Sequence, residues 1–112
     1  MLLNNGKHEG KQILSEDAVN QLKEIHIASD KMKYAPKVAE GFSYAPGGWV
    51  LEQKNGIATT LAAPGLGGTW PMIDFCRKYA YLVIVKSLLT EEKALSHIDL
   101  KKVVDKQFQA CN

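Results

Sequence analysis

The sequence predicts an α+β domain: an antiparallel sheet of three to four strands flanked by an N-terminal and a C-terminal helix. Three observations carry this expectation. A capped stretch of helical spacing lies near the start, an Asn-Gly pair separates two β-prone runs in the middle, and a second capped helical stretch closes the chain. The 112 residues are 46% hydrophobic, 23% charged and 8% aromatic. That profile fits a single globular domain spanning 1–112 and is too short for two.

The elements follow in order. Met1 to Asn5 reads as the last turn of a helix, with Asn5 and Gly6 suited to its C-terminal cap, although no helix precedes it. Ser15 is a good N-cap, with Glu16 and Asp17 in the electropositive first turn. Ala18, Val19, Leu22, Ile25 and His26 share one face, which predicts a helix over 16–27. Residues 28–40 show no period and read as an irregular connection. Residues 42–53 then hold Phe42, Tyr44, Trp49, Val50 and Leu51, and Asn55-Gly56 favours a type I′ hairpin returning through 57–61. After a Pro/Gly loop at 64–68, residues 69–75 and 79–86 read as two more strands around a turn at Cys76, Arg77 and Lys78. Thr90, followed by Glu91 and Glu92, is the N-cap expected for the last helix. Leu89, His97, Leu100, Val103, Val104, Phe108 and Cys111 form its stripe; Leu95 and Ile98 fall off it, which predicts a kink near Asp99.

Charge and cysteine content exclude several function classes. Net charge is +2, from 14 basic and 12 acidic residues, and Arg77 is the only arginine. The lysines are spread along the chain, so no phosphate-reading surface and no nucleic-acid partner are expected. The longest apolar run, around Tyr79 to Val85, is far short of the roughly 20 residues a membrane-spanning helix needs. Met1, Leu2 and Leu3 lead straight into Asn4, Asn5 and Gly6, without the pattern of an export signal. Cys76 and Cys111 could pair with each other, but without an export signal the expected reading is two free thiols. Neither C-x-x-C nor H-x-x-x-H spacing occurs, so no zinc site, other metal or cofactor is expected.

The stretch most suggestive of chemistry is AAPGLGGTWPMID, residues 62–74. A phosphate-cradling loop would need a Gly-Lys-Ser/Thr ending and a helix after it, and neither is present. Spacing alone favours a glycine-rich bend where one strand passes close to another element.

Order and spacing add a resemblance. The pattern F-x-Y-x-x-G-x-W from Phe42 to Trp49, the Asn-Gly hairpin, P-G-L-G-G-T-W-x-x-I-D and the valine-rich strand after it resemble the C-terminal part of the serine beta-lactamase and penicillin-binding-protein-like hydrolases. The opening, with G-K-x-x-G-K-x-I-L-S from Gly6 to Ser15, is similar to the same superfamily, so the likeness runs from Met1 to about Leu89. It implies a partial beta-lactamase-like fold in which the closing helix matches the family's own. Upstream chain would supply further helices on the other face and the first strands of the sheet.

The family's chemistry needs a serine three residues before a lysine, a tyrosine or equivalent base, and a third motif, Lys-Thr/Ser-Gly or His-x-Gly, on a strand beside the site. Ser15, Ser29, Ser43, Ser87 and Ser96 all lack that lysine, and no Y-x-N occurs. The third motif falls on Ala63, Pro64 and Gly65, without the cation or imidazole. Only the Leu66 backbone N–H is left to act as an oxyanion donor. His8, Glu9 and Gly10 spell His-x-Gly, but in the turn before the first helix. His26 and His97 read as helix residues rather than bases, Trp49 and Trp70 as core, Asp74 as the tie of a turn, and Cys76 as an unactivated thiol.

The expected function is thus a beta-lactamase-like hydrolase C-terminal segment without activity by itself. The alternative is a small protein-interaction or dimerisation module. Its expected partners are a homo-oligomer or an upstream hydrolase portion, because an uncovered sheet face and strand edge favour pairing, swapping or aggregation. The sequence leaves compartment and substrate open.

Overall fold

The computed structural model describes residues 1–65, 67–84 and 94–111. Its seven strands and two helices follow the order β1 (Lys7–His8), β2 (Lys11–Gln12), α1 (Glu16–Gln21), β3 (Ser43–Ala45), β4 (Gly48–Lys54), β5 (Ile57–Ala62), β6 (Trp70–Asp74), β7 (Tyr79–Val83) and α2 (Ala94–Asp105). The fold is α+β. A two-stranded hairpin, β1-β2, accompanies a five-stranded antiparallel sheet in which every neighbour in sequence is a neighbour in space.

Five strands rather than three or four arise because the expected 42–53 strand breaks in two. Pro46 cannot donate a ladder bond, so Pro46-Gly47 turns the chain and Tyr44 comes to lie opposite Trp49. Their rings meet edge to face at 5.1 Å. Asn55 and Gly56 both take positive φ, 52° and 78°, so the β4-β5 turn has the type I′ signs that suit twisted strands. Among the described residues no strand pairs with the outer edge of β7, and no helix is long and apolar enough to cross a membrane.

The first helix is shorter than its spacing suggests. Ser15 caps it as expected, its Oγ accepting from the Ala18 N–H at 3.0 Å, but the regular helix ends at Gln21. The chain beyond it joins the sheet instead. Gly47 donates to the Leu22 carbonyl, Ala58 donates to that of Lys23, and Ile27 and Tyr44 exchange bonds of 2.8 and 3.1 Å. Sheet edges offered the backbone of 22–27 partners outside the helix, and β-branched Ile25 and Ile27 fit them better than another helical turn.

The sheet has two unlike faces. Ala45, Val50, Ala58 and Leu61 form a small apolar cluster on one, with Ile25, Ile73 and Phe75 packed against it. Ala62, Trp70 and Met72 form the core of the other, with Val38, Phe42, Leu51, Tyr81 and Val83. Helix α2 lies on this second face, where the His97 ring stacks on Trp70 at 4.6 Å. The chain leaving α1 serves the first face through Ile25, so the two helical segments do not share one face.

Helix α2 is unbroken at Asp99, and its buried side matches the expected stripe only in part. His97 and Lys101 are buried, whereas Leu100 and Val103 are 40% and 58% exposed. Burying a lysine here follows from what the sheet presents to it, described below. Residues 85–93, which hold Leu89, Thr90, Glu91 and Glu92 of the expected N-terminal cap, lie outside the described residues.

The cysteines are not free thiols. Cys76, in the β6-β7 turn, and Cys111, beyond α2, form a disulfide with a Cα–Cα distance of 5.6 Å. Thirty-five residues separate them in sequence, and only the docking of α2 brings them together.

Candidate functional site

Ala63, Pro64 and Gly65, where the resemblance puts the third motif, sit where β5 ends and the loop to β6 begins. The Ala63 N–H donates to the Pro71 carbonyl at 3.1 Å, continuing the ladder, and the Gly65 N–H donates to the Thr69 carbonyl at 2.8 Å. Gly68 in turn donates to Gly65 at 2.9 Å, closing the loop on itself. Pro64 has no N–H. Every backbone donor at Ala63, Pro64 and Gly65 is therefore absent or already bonded, to β6 or within the loop, and no cationic or imidazole side chain stands on these three positions. Leu66, whose N–H was the remaining oxyanion candidate, lies outside the described residues.

Two of the serine hydroxyls accept structural hydrogen bonds. Ser15 Oγ caps α1, and Ser43 Oγ accepts from the Ser29 N–H at 3.1 Å. His8, Glu9 and Gly10 belong to the exposed β1-β2 hairpin, where Glu9 and Gly10 take the positive-φ turn positions. They are not on the strand that carries Ala63. His26 is in the sheet-bonded segment after α1, not on a helix face. It lines a groove of about 540 Å³ with Leu14, Asp17, Leu22, Glu24 and Pro46.

His97 is the histidine nearest the 63–69 loop in bonding terms. Burial lowers its pKa, although a hydrogen bond to the Gly68 backbone works the other way. Its ring covers Trp70, whose indole Nε1 is buried and has no hydrogen-bond partner among the described residues. The imidazole fastens the loop to α2 and is held neutral near pH 7.

A larger polar assembly lies beside this contact, and sequence reasoning missed it. Lys101 Nζ reaches Asp105 Oδ2 at 2.8 Å, Glu52 Oε1 at 2.9 Å and Asp74 Oδ2 at 3.2 Å. Arg77 Nη1 lies 2.8 Å from both Glu52 Oε2 and Asp74 Oδ2. Thr60 Oγ1 donates into the same group, and Tyr79 donates its hydroxyl to Asp105 Oδ1 at 2.5 Å. Two cations thus face three carboxylates, with Asp74 fully buried. Register shifts on either side of Glu52 turn its carboxylate onto the same face as Asp74.

The pKa directions say what this assembly can do. Burial pushes the Asp74 carboxyl up, but the Arg77 backbone and guanidinium and the Lys101 ammonium outweigh it and hold the group below the usual carboxylate range. Burial lowers Lys101, and the bonds to Asp105 and Glu52 more than restore it, so the lysine stays protonated. Desolvation and then Asp105 raise Tyr79 well above the ordinary phenol. An ammonium and a phenol held so firmly protonated are neither nucleophile nor general base at neutral pH. The group is an electrostatic fastener for α2.

The sequence placed Asp74 correctly as the tie of a turn, since its Oδ1 accepts from the Arg77 N–H at 2.7 Å. A signal for the rest was present in the solitary arginine three residues after that aspartate, and in Lys101 and Asp105 at i, i+4 spacing. Glu52 gave none, because its position depends on the register shifts. Trp70 is core, as expected, and Trp49 is half-buried.

Comparisons with protein-family models, with curated proteins and with solved structures return no match.

Proposed function

We propose that this chain is the closing segment of a beta-lactamase-like serine hydrolase fold and has no hydrolytic activity of its own. The observation that carries the reading is the loop after β5. At the third-motif positions, Ala63 lacks the cation or imidazole, Pro64 lacks a donor, and the Gly65 N–H is spent on Thr69. The order of the motifs supports the relationship: the paired aromatic strand, the Asn-Gly hairpin, the P-G-L-G-G-T-W loop, then a further strand and a helix. Within such a fold, this segment would contribute sheet and helix α2 to a larger body whose nucleophile comes from elsewhere.

A second reading, a small interaction or dimerisation module, rests on a different observation. Leu82 and Ile84 at the end of β7 are 54% and 74% exposed, and the outer edge of β7 is unpaired among the described residues. Apolar side chains beside a sheet edge favour strand addition or face-to-face packing.

The size of the native polypeptide separates the two. An immunoblot of the source cell against this region should give a band well above 12.4 kDa if the chain closes a hydrolase. A single band at 12.4 kDa would overturn that reading and favour the module.

A further inference from the structure

We propose that the Cys76–Cys111 disulfide is a redox-released latch. A dithiol reductant opens it, the tail after α2 leaves the sheet, and α2 itself stays docked.

The two parts of the C-terminal region are held by different means. Helix α2 is fixed by Lys101 among three carboxylates, by Asp105 against Tyr79 and by His97 on Trp70. None of these contacts involves a residue beyond Asp105. The tail has the disulfide, the stack of Phe108 on the Tyr79 ring at 4.4 Å, and two short-range bonds from the Gln107 and Phe108 N–H groups to Val104 and Asp105. Of its described contacts with the sheet, only the ring stack survives once the covalent link is opened.

The link is placed to be reached. Cys76 is exposed in the β6-β7 turn and Cys111 is partly exposed, so an incoming thiolate meets Cys76 sulfur first, beside exposed, cationic Lys78. In the exchange, the thiolate forms an S–S bond to Cys76 and the Cys76–Cys111 bond breaks, with Cys111 leaving as a thiolate that takes up a proton. The second thiol of the reductant then attacks the mixed disulfide, releasing Cys76 as a thiol and closing the reductant's own disulfide. Two electrons and two protons pass from the dithiol to the cysteine pair. The consequence is an uncovered Tyr79 ring, with Tyr81 stacked beside it at 6.1 Å.

The test is amide exchange by mass spectrometry on the full chain, purified without reductant, before and after dithiothreitol. A thiol count on the denatured chain runs alongside. The expected result is no free thiol before reduction and two after it. On reduction, exchange at Gln107 and Phe108 should rise about tenfold or more, while residues 97–104 change less than about twofold. A double variant, Cys76→Ser with Cys111→Ser, should show the released pattern with no reductant added. Free thiols before reduction, an unchanged tail, or loss of protection along the whole of α2 would each overturn the proposal.

Discussion

The two faces of the sheet are stabilised differently, because the α2 side adds a polar cluster to an apolar core around Trp70 and Met72. On the α2 side, charged and hydrogen-bonding groups are buried and mutually satisfied: Asp74, Thr60, Lys101 and Arg77 bond one another beneath a helix whose larger apolar residues face outward. On the other side a few small and medium apolar residues pack against Ile25, and Leu82 and Ile84 are left exposed. Buried charges hold position because each requires its partner, and they penalise any arrangement that separates them. The apolar cluster tolerates change more readily, because its contacts are non-directional. The polar cluster therefore fixes where α2 sits, and the opposite face leaves area for contact with further protein.

This contrast can be broken most sharply at Lys101. Lys101→Met leaves the Asp74 carboxylate buried with one cation fewer, and should cost about 3–5 kcal/mol, read from the urea midpoint. A loss below about 1 kcal/mol would mean the cluster is incidental.

The pH profile sharpens the same point. The lowered pKa of Asp74 gives a stability contribution that is complete above about pH 4 and lost as pH falls through the still lower folded value. The raised pKa of Lys101 gives a contribution complete below about pH 10 and lost as pH rises through its folded value. The depressed pKa of His97 adds a contribution present above about pH 6.5 and lost as pH falls further. Stability should thus form a plateau between neutral and moderately alkaline pH. In Lys101→Met its alkaline limb should become shallower, the remainder belonging to Tyr79, whose pKa desolvation and Asp105 also raise; an unchanged limb in the variant would assign that dependence to other groups.

On the apolar face, effects should be smaller. A Cβ at Gly47 would meet the Leu22 carbonyl oxygen and Leu61 Cδ1, both at 2.7 Å. Gly47→Ala should therefore cost about 1–3 kcal/mol by forcing the 22–27 segment off the sheet, measurable by thermal melting. Smallest of all, Leu82→Ser on the open surface should change stability by less than about 0.5 kcal/mol. A larger loss there would show that Leu82 is covered in solution, by a second copy or by another protein.

What the sequence made legible follows the same division. Local signals survive: Ser15 caps its helix, Asn55-Gly56 makes its turn, and the alternation of Trp70, Met72 and Asp74 on one face of β6 follows from a period of two. Residues set by long-range partners do not. The helix expected to reach Ile27 stops at Gln21 because β3 and β5 offer its backbone other bonds. The stripe through Leu100 and Val103 turns outward because Lys101 has three carboxylates to reach, one of them aimed by a register shift in β4. The Cys76–Cys111 pairing was disfavoured for the same reason, since the two cysteines meet only after α2 docks. That Ala63-Pro64-Gly65 carries neither a cation nor an imidazole could be read from the sequence alone, while the use of its N–H groups depends on the loop's return to Thr69 and Pro71.

The most direct test of the functional account is the intact mass of the purified chain after incubation with a penicillin-type acylating probe. The account predicts an unchanged mass of 12.4 kDa, because no serine in the sequence precedes a lysine by three residues and no donor at Ala63, Pro64 or Gly65 is free. A mass increase equal to one acyl group, located on a serine by fragmentation, would contradict it.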